Sequence, residues 1–132
     1  MTPRPLPEIV RHALELFAPL GSISTKAMFG GWGFYCDDLF FALVAHETLY
    51  LKADGQSAAL FSEAGGEPFR FSYKDGRVET MNYWTVPETA LESPAEMLPW
   101  GREALAAALR HPKKPKATAA RDPKALAKAH HV

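Results

Sequence analysis

The stretch that decides the fold is Ala27-Met28-Phe29-Gly30-Gly31-Trp32-Gly33-Phe34-Tyr35-Cys36. Its three glycines, Gly30, Gly31 and Gly33, lie within four positions of a segment that is otherwise rich in aromatic residues. Glycine adopts a positive φ at little steric cost and allows a second backbone to approach closely. This density of glycine therefore predicts a bent strand or a tight hairpin in a sheet, with all three glycines in structural roles.

The same glycines raise the alternative of a phosphate-binding loop. A Walker loop needs Lys and then Ser or Thr after its second glycine, and a dinucleotide-binding fingerprint opens onto a helix. Neither pattern follows Gly33, where the chain is strand-like and offers no helix N-terminus to a phosphate. The direction of Trp32 stays open at this stage. Trp32 and Lys26, together with Tyr50 and Lys52 further along the chain, are candidate contacts for a partner.

Composition bounds the class of protein. The 132 residues suit one domain, and 47% hydrophobic with 11% aromatic residues is enough for a buried core. No apolar run approaches the roughly 20 residues that span a bilayer, and residues 1–7 carry no apolar leader. Cys36 is the single cysteine, which excludes an internal disulfide and a cysteine-based zinc site. We therefore predict a cytoplasmic protein that does not bind membranes.

The net charge of zero conceals an asymmetry along the chain. Residues 111–132 hold six Lys or Arg against Asp122 alone, a charge of +5, which leaves −5 on residues 1–110. We predict a domain over residues 1–110 and a disordered Lys/Ala/Pro-rich tail over residues 111–132. The tail is either a weak, non-specific nucleic-acid contact or a solvated extension. Its candidate nucleic-acid contacts are Lys113, Lys114, Lys116, Arg121, Lys124 and Lys128.

Three helices are predicted. Apolar residues at three- and four-residue spacing indicate the first over Leu6–Phe17. Asp54 is a candidate cap for a second, short helix. Ser93-Pro94-Ala95-Glu96 has the capping-box pattern that starts a third, whose predicted apolar stripe extends to Leu109. Pro99 lacks an N–H and crowds the preceding turn, so it predicts a kink or a restart in that helix.

The remaining chain predicts about five strands. Three of them, over residues 23–36, 39–45 and 48–52, follow the first helix, and two more, over residues 69–73 and 78–86, form a hairpin after the second. Strands that arrive in hairpin-linked groups favour an antiparallel sheet with helices on one face. The predicted fold is a two-layer α+β domain of order α-βββ-α-ββ-α.

Catalytic chemistry finds little support in the sequence. Cys36 would need His12 or His46 beside it to act as a nucleophile. Asp37 and Asp38 follow it, and nearby carboxylates raise a thiol pKa and disfavour the thiolate. The other carboxylates fall mostly in predicted turns, where they serve the backbone. We predict no enzyme, no cofactor and no metal. A concave pocket around Cys36 or clustered carboxylates would revive the enzyme hypothesis.

Aromatic residues on the later strands allow two interpretations. An open sheet face that carries them could stack single-stranded nucleic acid. Alternatively the aromatic side chains belong to the core or to a layer buried in a homodimer, because uncovered sheet faces often bury themselves against a second copy. The residues concerned are Tyr50, Tyr73, Tyr83, Trp84 and Lys52.

Several of these motifs resemble one known family. The segment from Lys26 to Tyr35 resembles the Arg-Met-Phe-Gly-Gly-x-Gly signature of the TfoX (Sxy) N-terminal domain family, with Ala27 where the family usually has arginine. Further similar motifs follow in the same order: Phe41–Val44, Leu49–Lys52, Pro68-Phe69, Met81–Trp84, Val86-Pro87 and, in the last helix, Trp100, Arg102 and Leu105. The resemblance implies a fold like that of type III secretion chaperones, which are often dimeric. It also implies a role in natural competence with other transcription factors, without catalytic residues.

Two functional hypotheses remain. The first is a non-enzymatic regulatory or interaction domain that forms a homodimer and acts through a transcription factor or another protein. The second is direct nucleic-acid binding by the aromatic sheet face and the basic tail.

Overall fold

The computed structural model describes residues 6–28 and 30–111 of the chain. Three α-helices, six strands and two short 3-10 turns succeed one another in it. In chain order they are α1 (Glu8–Phe17), a 3-10 turn (Ala18–Leu20), β1 (Ile23–Met28), β2 (Gly31–Cys36), β3 (Leu39–Ala45), β4 (Thr48–Lys52), α2 (Ala58–Glu63), β5 (Pro68–Ser72), β6 (Val78–Trp84), a second 3-10 turn (Glu88–Leu91) and α3 (Pro94–Arg110).

The six strands form one antiparallel sheet in the order β1-β2-β3-β4-β6-β5. The predicted α+β class and antiparallel sheet are confirmed, but the strand count was one too low. The glycine-rich stretch is the reason: it is a hairpin of two strands, in which Lys26 lies opposite Gly33 and Met28 opposite Gly31. Gly30 lies in the connecting turn with φ +63°, a conformation that favours glycine. Phe29 lies outside the described residues.

Two tight turns shape the meander from β2 to β4. Asp37 and Asp38 have φ of 50° and 71°, and His46 and Glu47 have φ of 52° and 56°. Two central residues with positive φ form the hairpin turn whose twist matches that of the flanking strands. Both turns lie in the gaps between the strands that the sequence predicted over residues 23–36, 39–45 and 48–52.

The core lies between one face of the sheet and the helices α1 and α3. The Phe17 ring on α1 is 5.6 Å from the Phe34 ring on β2 and 4.8 Å from the Phe41 ring on β3, both edge-on. An irregularity in the pairing of β2 with β3 leaves Phe41 as the extra residue, so Phe41 and Ala42 are both buried. Strict alternation would turn one of these two successive apolar side chains away from the core. The extra residue lets both of them be buried.

The helix α3 corrects two predictions. It starts as expected, since the Ser93 hydroxyl oxygen accepts the Glu96 N–H at 3.2 Å. It then continues as one helix through Pro99, so the predicted restart is wrong, and a kink at Pro99 stays a prediction. The carbonyl that loses its donor at Pro99 belongs to Ala95, which is exposed to water. Leu109 is 65% exposed rather than part of the buried stripe, because it lies about 120° around the helix from the buried Met97.

Within the described residues, no helix combines the length and the apolar character that crossing a membrane requires.

Candidate functional site

The sheet has two unlike faces. Side chains alternate along each strand, so Leu49 and Leu51 of β4 point into the core, whereas Tyr50 and Lys52 point the other way. In the described part of the chain, the three helices lie on the core side. We call the opposite side the open face. It is formed chiefly by Lys26, Tyr35, Phe40, Tyr50, Lys52, Phe69 and Tyr83.

Aromatic rings on the open face contact one another across strands. The Tyr35 and Phe40 ring centroids are 5.2 Å apart, and the Phe40 and Tyr83 centroids are 5.8 Å apart. Further along the same face, the Tyr50 and Phe69 rings meet edge-on at 5.0 Å. Such contacts hold the rings in defined orientations, which makes the layer a preformed surface rather than a set of independent side chains.

Two lysines accompany these rings. The Lys26 Nζ lies 5.7 Å from the centroid of the Tyr35 ring, and the Lys52 Nζ lies 5.4 Å from the centroid of the Tyr83 ring. Both distances are within the range of a cation–π attraction. Lys26 is exposed, whereas Lys52 is only 8% exposed. The open face thus combines an aromatic layer with positive charge at two of its strands.

Two phenols of the open face, those of Tyr35 and Tyr83, stay neutral. Burial raises the pKa of Tyr35. Burial also raises the pKa of Tyr83, and the neighbouring Tyr35 adds to the effect. Both side chains therefore keep their protons at physiological pH and can donate hydrogen bonds to a partner.

The glycines of the β1–β2 hairpin allow close packing on both sides. A Cβ at Gly31 would overlap the backbone carbonyl oxygen of Val44 on β3. A Cβ at Gly33 would lie 2.7 Å from the end of the Met28 side chain and 2.7 Å from the Phe40 ring, which cover the backbone there. The absence of a side chain at Gly31 thus lets the backbones of β2 and β3 approach closely. The absence of a side chain at Gly33 lets the Met28 and Phe40 side chains pack directly on the backbone of β2.

The residues proposed from the sequence separate between the two faces. Lys26, Tyr50 and Lys52 share the open face. Trp32 points to the core side, where it lies opposite Val44 and is half-buried against the core. The sequence did not decide which face of the sheet Trp32 lies on. The structure places it on the face opposite to that of Lys26, Tyr50 and Lys52.

The aromatic set proposed as a nucleic-acid platform also divides. Tyr50, Tyr83 and Lys52 lie on the open face, but Trp84 packs against the core side, so its place in that set is wrong. Residues two apart on β6 share a face, and Tyr83 and Trp84 are adjacent. Tyr73 lies beyond the end of β5, where its hydroxyl donates to Glu79 at 2.6 Å. The proposed tail contacts at residues 113–128 lie outside the described residues.

Cys36 is not placed as a nucleophile. Its thiol is buried and donates to the Leu20 carbonyl oxygen at 3.8 Å, and burial together with Asp37 raises its pKa. His12 lies 2.7 Å from the Leu91 carbonyl oxygen, and His46 lies in the turn at the far end of β3. In residues 6–28 and 30–111, no three His, Cys, Asp or Glu side chains are grouped so as to hold a metal ion.

A buried ion pair is the feature that sequence reasoning missed. Arg110, at the end of α3, donates to both carboxylate oxygens of Asp54, which lies just after β4. Asp54 was expected to cap the second helix, but the N-cap of α2 is Ser57, and Asp54 instead accepts the Gln56 and Ser57 N–H groups in the turn before it. No local sequence pattern relates two residues that are 56 positions apart, so the contact between Arg110 and Asp54 is evident only from the tertiary structure.

The comparisons with known proteins agree with the resemblance noted in the sequence. The model of the TfoX N-terminal domain matches residues 15–108. DNA transformation protein TfoX1 of Aliivibrio fischeri is 36% identical over 86 residues, which cover 65% of this chain and 41% of that protein. Protein Sxy of Escherichia coli is 34% identical over 97 residues, covering 73% of this chain and 46% of that protein.

DNA transformation protein TfoX of Haemophilus influenzae is 29% identical over 75 residues, covering 56% of this chain and 35% of that protein. The matches thus span less than half the length of each of these relatives. The family match includes the glycine-rich hairpin, the whole sheet and most of α3. The chain belongs to the TfoX N-terminal domain family.

Proposed function

We propose that this chain is a non-enzymatic regulatory domain that acts in DNA transformation by binding a protein partner through its open face. Membership of the family and the names of the relatives, two of which are DNA transformation proteins, support the biological role. Because the chain matches less than half of each relative, their activity is carried over here as a proposal.

One observation carries the mechanism. The open face bears contacting aromatic rings on β2, β3, β4, β5 and β6, and no described helix covers it. Aromatic side chains are enriched in the centres of protein interfaces, where they bury much area for little loss of conformational entropy. An uncovered apolar face of this kind indicates an interaction surface.

The first partner we propose for the open face is a second copy of the chain. A broad apolar face can pack against itself in a two-fold arrangement, in which the same patch contributes from both protomers. Light scattering at micromolar concentration should give the mass of a dimer. Tyr50→Arg, which places a charge in the middle of the face, should give a monomer, whereas Leu109→Arg on the exposed side of α3 should stay dimeric. A monomeric mass for the unmodified chain contradicts this part of the proposal.

The regulatory role is tested in the native host. We expect deletion of the gene to lower the frequency of DNA transformation and the transcription of competence genes. The unmodified chain and Leu109→Arg should restore both quantities, and Tyr50→Arg should not. Thermal unfolding followed by circular dichroism shows whether Tyr50→Arg remains folded. If a folded Tyr50→Arg protein restores the transformation frequency in full, the functional surface is not the open face. If the deletion strain transforms as often as the unmodified strain, the proposed role in transformation is wrong.

A second candidate function is binding of single-stranded nucleic acid. The ammonium of Lys26 over the Tyr35 ring favours it, since stacking surfaces with adjacent cations bind bases and phosphates. Fluorescence polarisation with a labelled oligonucleotide tests it, using the full chain and a chain that ends at residue 111. Binding that survives the truncation supports contact by the domain. Binding that disappears leaves only the Lys/Arg residues of 112–132 as the contact.

A further inference from the structure

The strands β1 and β5 form the two edges of the sheet. An edge strand turns every second backbone N–H and C=O away from its one neighbour, and another extended chain can pair with these groups. In the described part of the chain, no further strand pairs with the outer side of β1 or of β5. Proteins commonly protect such edges from pairing with proline, bulges or charged side chains. The two edges of this sheet differ in these features.

The β5 edge is interrupted where the strand begins. Its first residue is Pro68, which has no N–H to donate to an added strand. The pairing of β5 with β6 is irregular between Pro68 and Phe69, and a bulge of this kind disrupts the local ladder. Arg70 adds an exposed charge in the middle of the strand. The strand β5 is therefore a poor template for a further strand.

The β1 edge is regular over its whole length. Its six residues, Ile23–Met28, pair with Gly31–Cys36 of β2 in one unbroken register and include no proline. None of the six side chains is buried, and those of Ser24, Lys26 and Ala27 are exposed. Evenly spaced backbone groups on an accessible edge are what a further strand requires.

Lys26 carries the single charge on β1. It lies opposite Gly33 on the open face, and its Nζ is 5.7 Å from the centroid of the Tyr35 ring. Among residues 6–28 and 30–111, no carboxylate forms an ion pair with Lys26. Like charges directly opposite each other destabilise a strand pair, whereas opposite charges stabilise it. Lys26 therefore disfavours an incoming strand with a positive charge at this position and favours one with a carboxylate.

We propose that the outer edge of β1 binds an extended acidic segment of another protein as a seventh strand of the sheet. Main-chain hydrogen bonds to β1 supply the affinity, and the side chains on the two faces supply the specificity. A carboxylate of the segment lies beside Lys26 on the open face, and apolar side chains lie beside Ile23 on the core side, where Ile23 packs against the core. The chain's own residues 111–132 do not match this description, because their net charge is +5.

A synthetic peptide, acetyl-Thr-Val-Glu-Val-Thr-Val-amide, tests the proposal against the full ¹⁵N-labelled chain. Antiparallel pairing with β1 places its glutamate opposite Lys26 and its valines on the core side. We expect saturable NMR shifts of the β1 amides and slower hydrogen exchange at every second amide from Ser24 to Met28. Shifts confined to other strands would overturn the proposal. Slow, concentration-dependent exchange of these amides without peptide would also overturn it, since a second copy would then occupy the edge.

Exchanging the charges tests the role of Lys26. Replacing the glutamate of the peptide by lysine should weaken binding about fivefold, the effect expected of a cross-strand charge pair. Lys26→Glu should reverse this preference, so that the lysine peptide binds more tightly than the glutamate peptide. Arg70→Glu, on the β5 edge, is the matched control and should leave the preference unchanged. Equal affinity of the unmodified chain for the two peptides would overturn the proposal of an acidic partner.

Methylation of the peptide backbone tests strand addition itself. One peptide carries N-methyl groups on its three valines, and a second carries them on the other three residues. Because alternate N–H groups of a strand point to opposite sides, one of these peptides should lose binding and the other should keep it. Equal binding of both would contradict strand addition. The inference does not depend on the role proposed for the open face, so Tyr50→Arg should bind the unmethylated peptide as the unmodified chain does.

Discussion

Arg110 donates from Nε to Oδ2 of Asp54 at 2.6 Å and from Nη2 to Oδ1 at 3.0 Å. Arg110 is the last residue of α3, and Asp54 lies in the loop between β4 and α2. This ion pair therefore links the end of α3 to the loop that follows β4. The Asp54 side chain is 6% exposed, and that of Arg110 is 30% exposed. The hydrogen bonds from Arg110 hold the pKa of Asp54 far below its usual range, even though burial alone would raise it.

Replacing Asp54 tests how much this pair stabilises the fold. Asp54→Asn removes the charge that Arg110 faces and weakens the bonds to the turn before α2. We expect the free energy of unfolding to fall by about 2–3 kcal/mol, as measured by urea denaturation. Asp75→Asn is the matched control, because Asp75 also pairs with an arginine, Arg77 at 2.9 Å, but both side chains are well exposed. That change should leave the free energy of unfolding nearly unchanged, because water screens an exposed ion pair. Equal losses of unfolding free energy in Asp54→Asn and Asp75→Asn would show that burial does not strengthen the Asp54–Arg110 pair.

The same carboxylate predicts a pH dependence of stability. The pKa of Asp54 is lower in the folded chain than in the unfolded chain, so the folded chain binds the proton more weakly. Its contribution is therefore complete above the pKa of an unfolded aspartate, about 3.9, and is lost as the pH falls below that value. The gap in unfolding free energy between the unmodified chain and Asp54→Asn should be largest near neutral pH and narrow steadily below about pH 4. A gap that is constant between pH 7 and pH 3 would contradict this assignment.

Gly31 and Gly33 should respond differently to alanine. A methyl group at Gly31 meets the Val44 backbone, which cannot move without separating β2 from β3. A methyl group at Gly33 meets the flexible end of Met28 and the Phe40 ring. We expect Gly31→Ala to cost more than about 3 kcal/mol or to prevent folding, and Gly33→Ala to cost about 1–2 kcal/mol.

The double variant Gly33→Ala/Met28→Ala provides the control for Gly33. Removing the Met28 side chain makes room for the new methyl group. The Gly33→Ala change should therefore cost less in the Met28→Ala background than in the unmodified chain, by a coupling energy of about 0.5 kcal/mol or more. Additive losses would show that the cost at Gly33 does not arise from contact with Met28.

The thiol of Cys36 should react slowly. Burial protects it, and a raised pKa lowers the fraction of reactive thiolate. We expect the rate of reaction with a chromogenic disulfide at pH 8 to be at least about tenfold lower in the folded chain than in denaturant. A folded chain that reacts as fast as the unfolded one would reopen the hypothesis of a nucleophilic cysteine.

Much of the candidate site follows from the period of a strand. Leu49, Tyr50, Leu51 and Lys52 alternate in character, so the sequence alone assigns Tyr50 and Lys52 to the same face. The same rule separates Tyr83 from Trp84, and the platform proposed from the sequence erred by joining them. Trp32 could not be assigned, because glycines on both sides of it leave no alternation to follow.

Local chemistry in the sequence determined the class of fold, the tight turns at residues 37–38 and 46–47, the start of α3 at Ser93 and the family. These depend on neighbours within a few positions, or on motifs that keep their order along the chain. Only the tertiary structure decided that the glycine-rich stretch is a hairpin of two strands, that all three described helices lie on the core side of the sheet, and that Arg110 contacts Asp54. Those relationships join residues distant in the chain, and their energies arise only when burial and close packing bring the partners together.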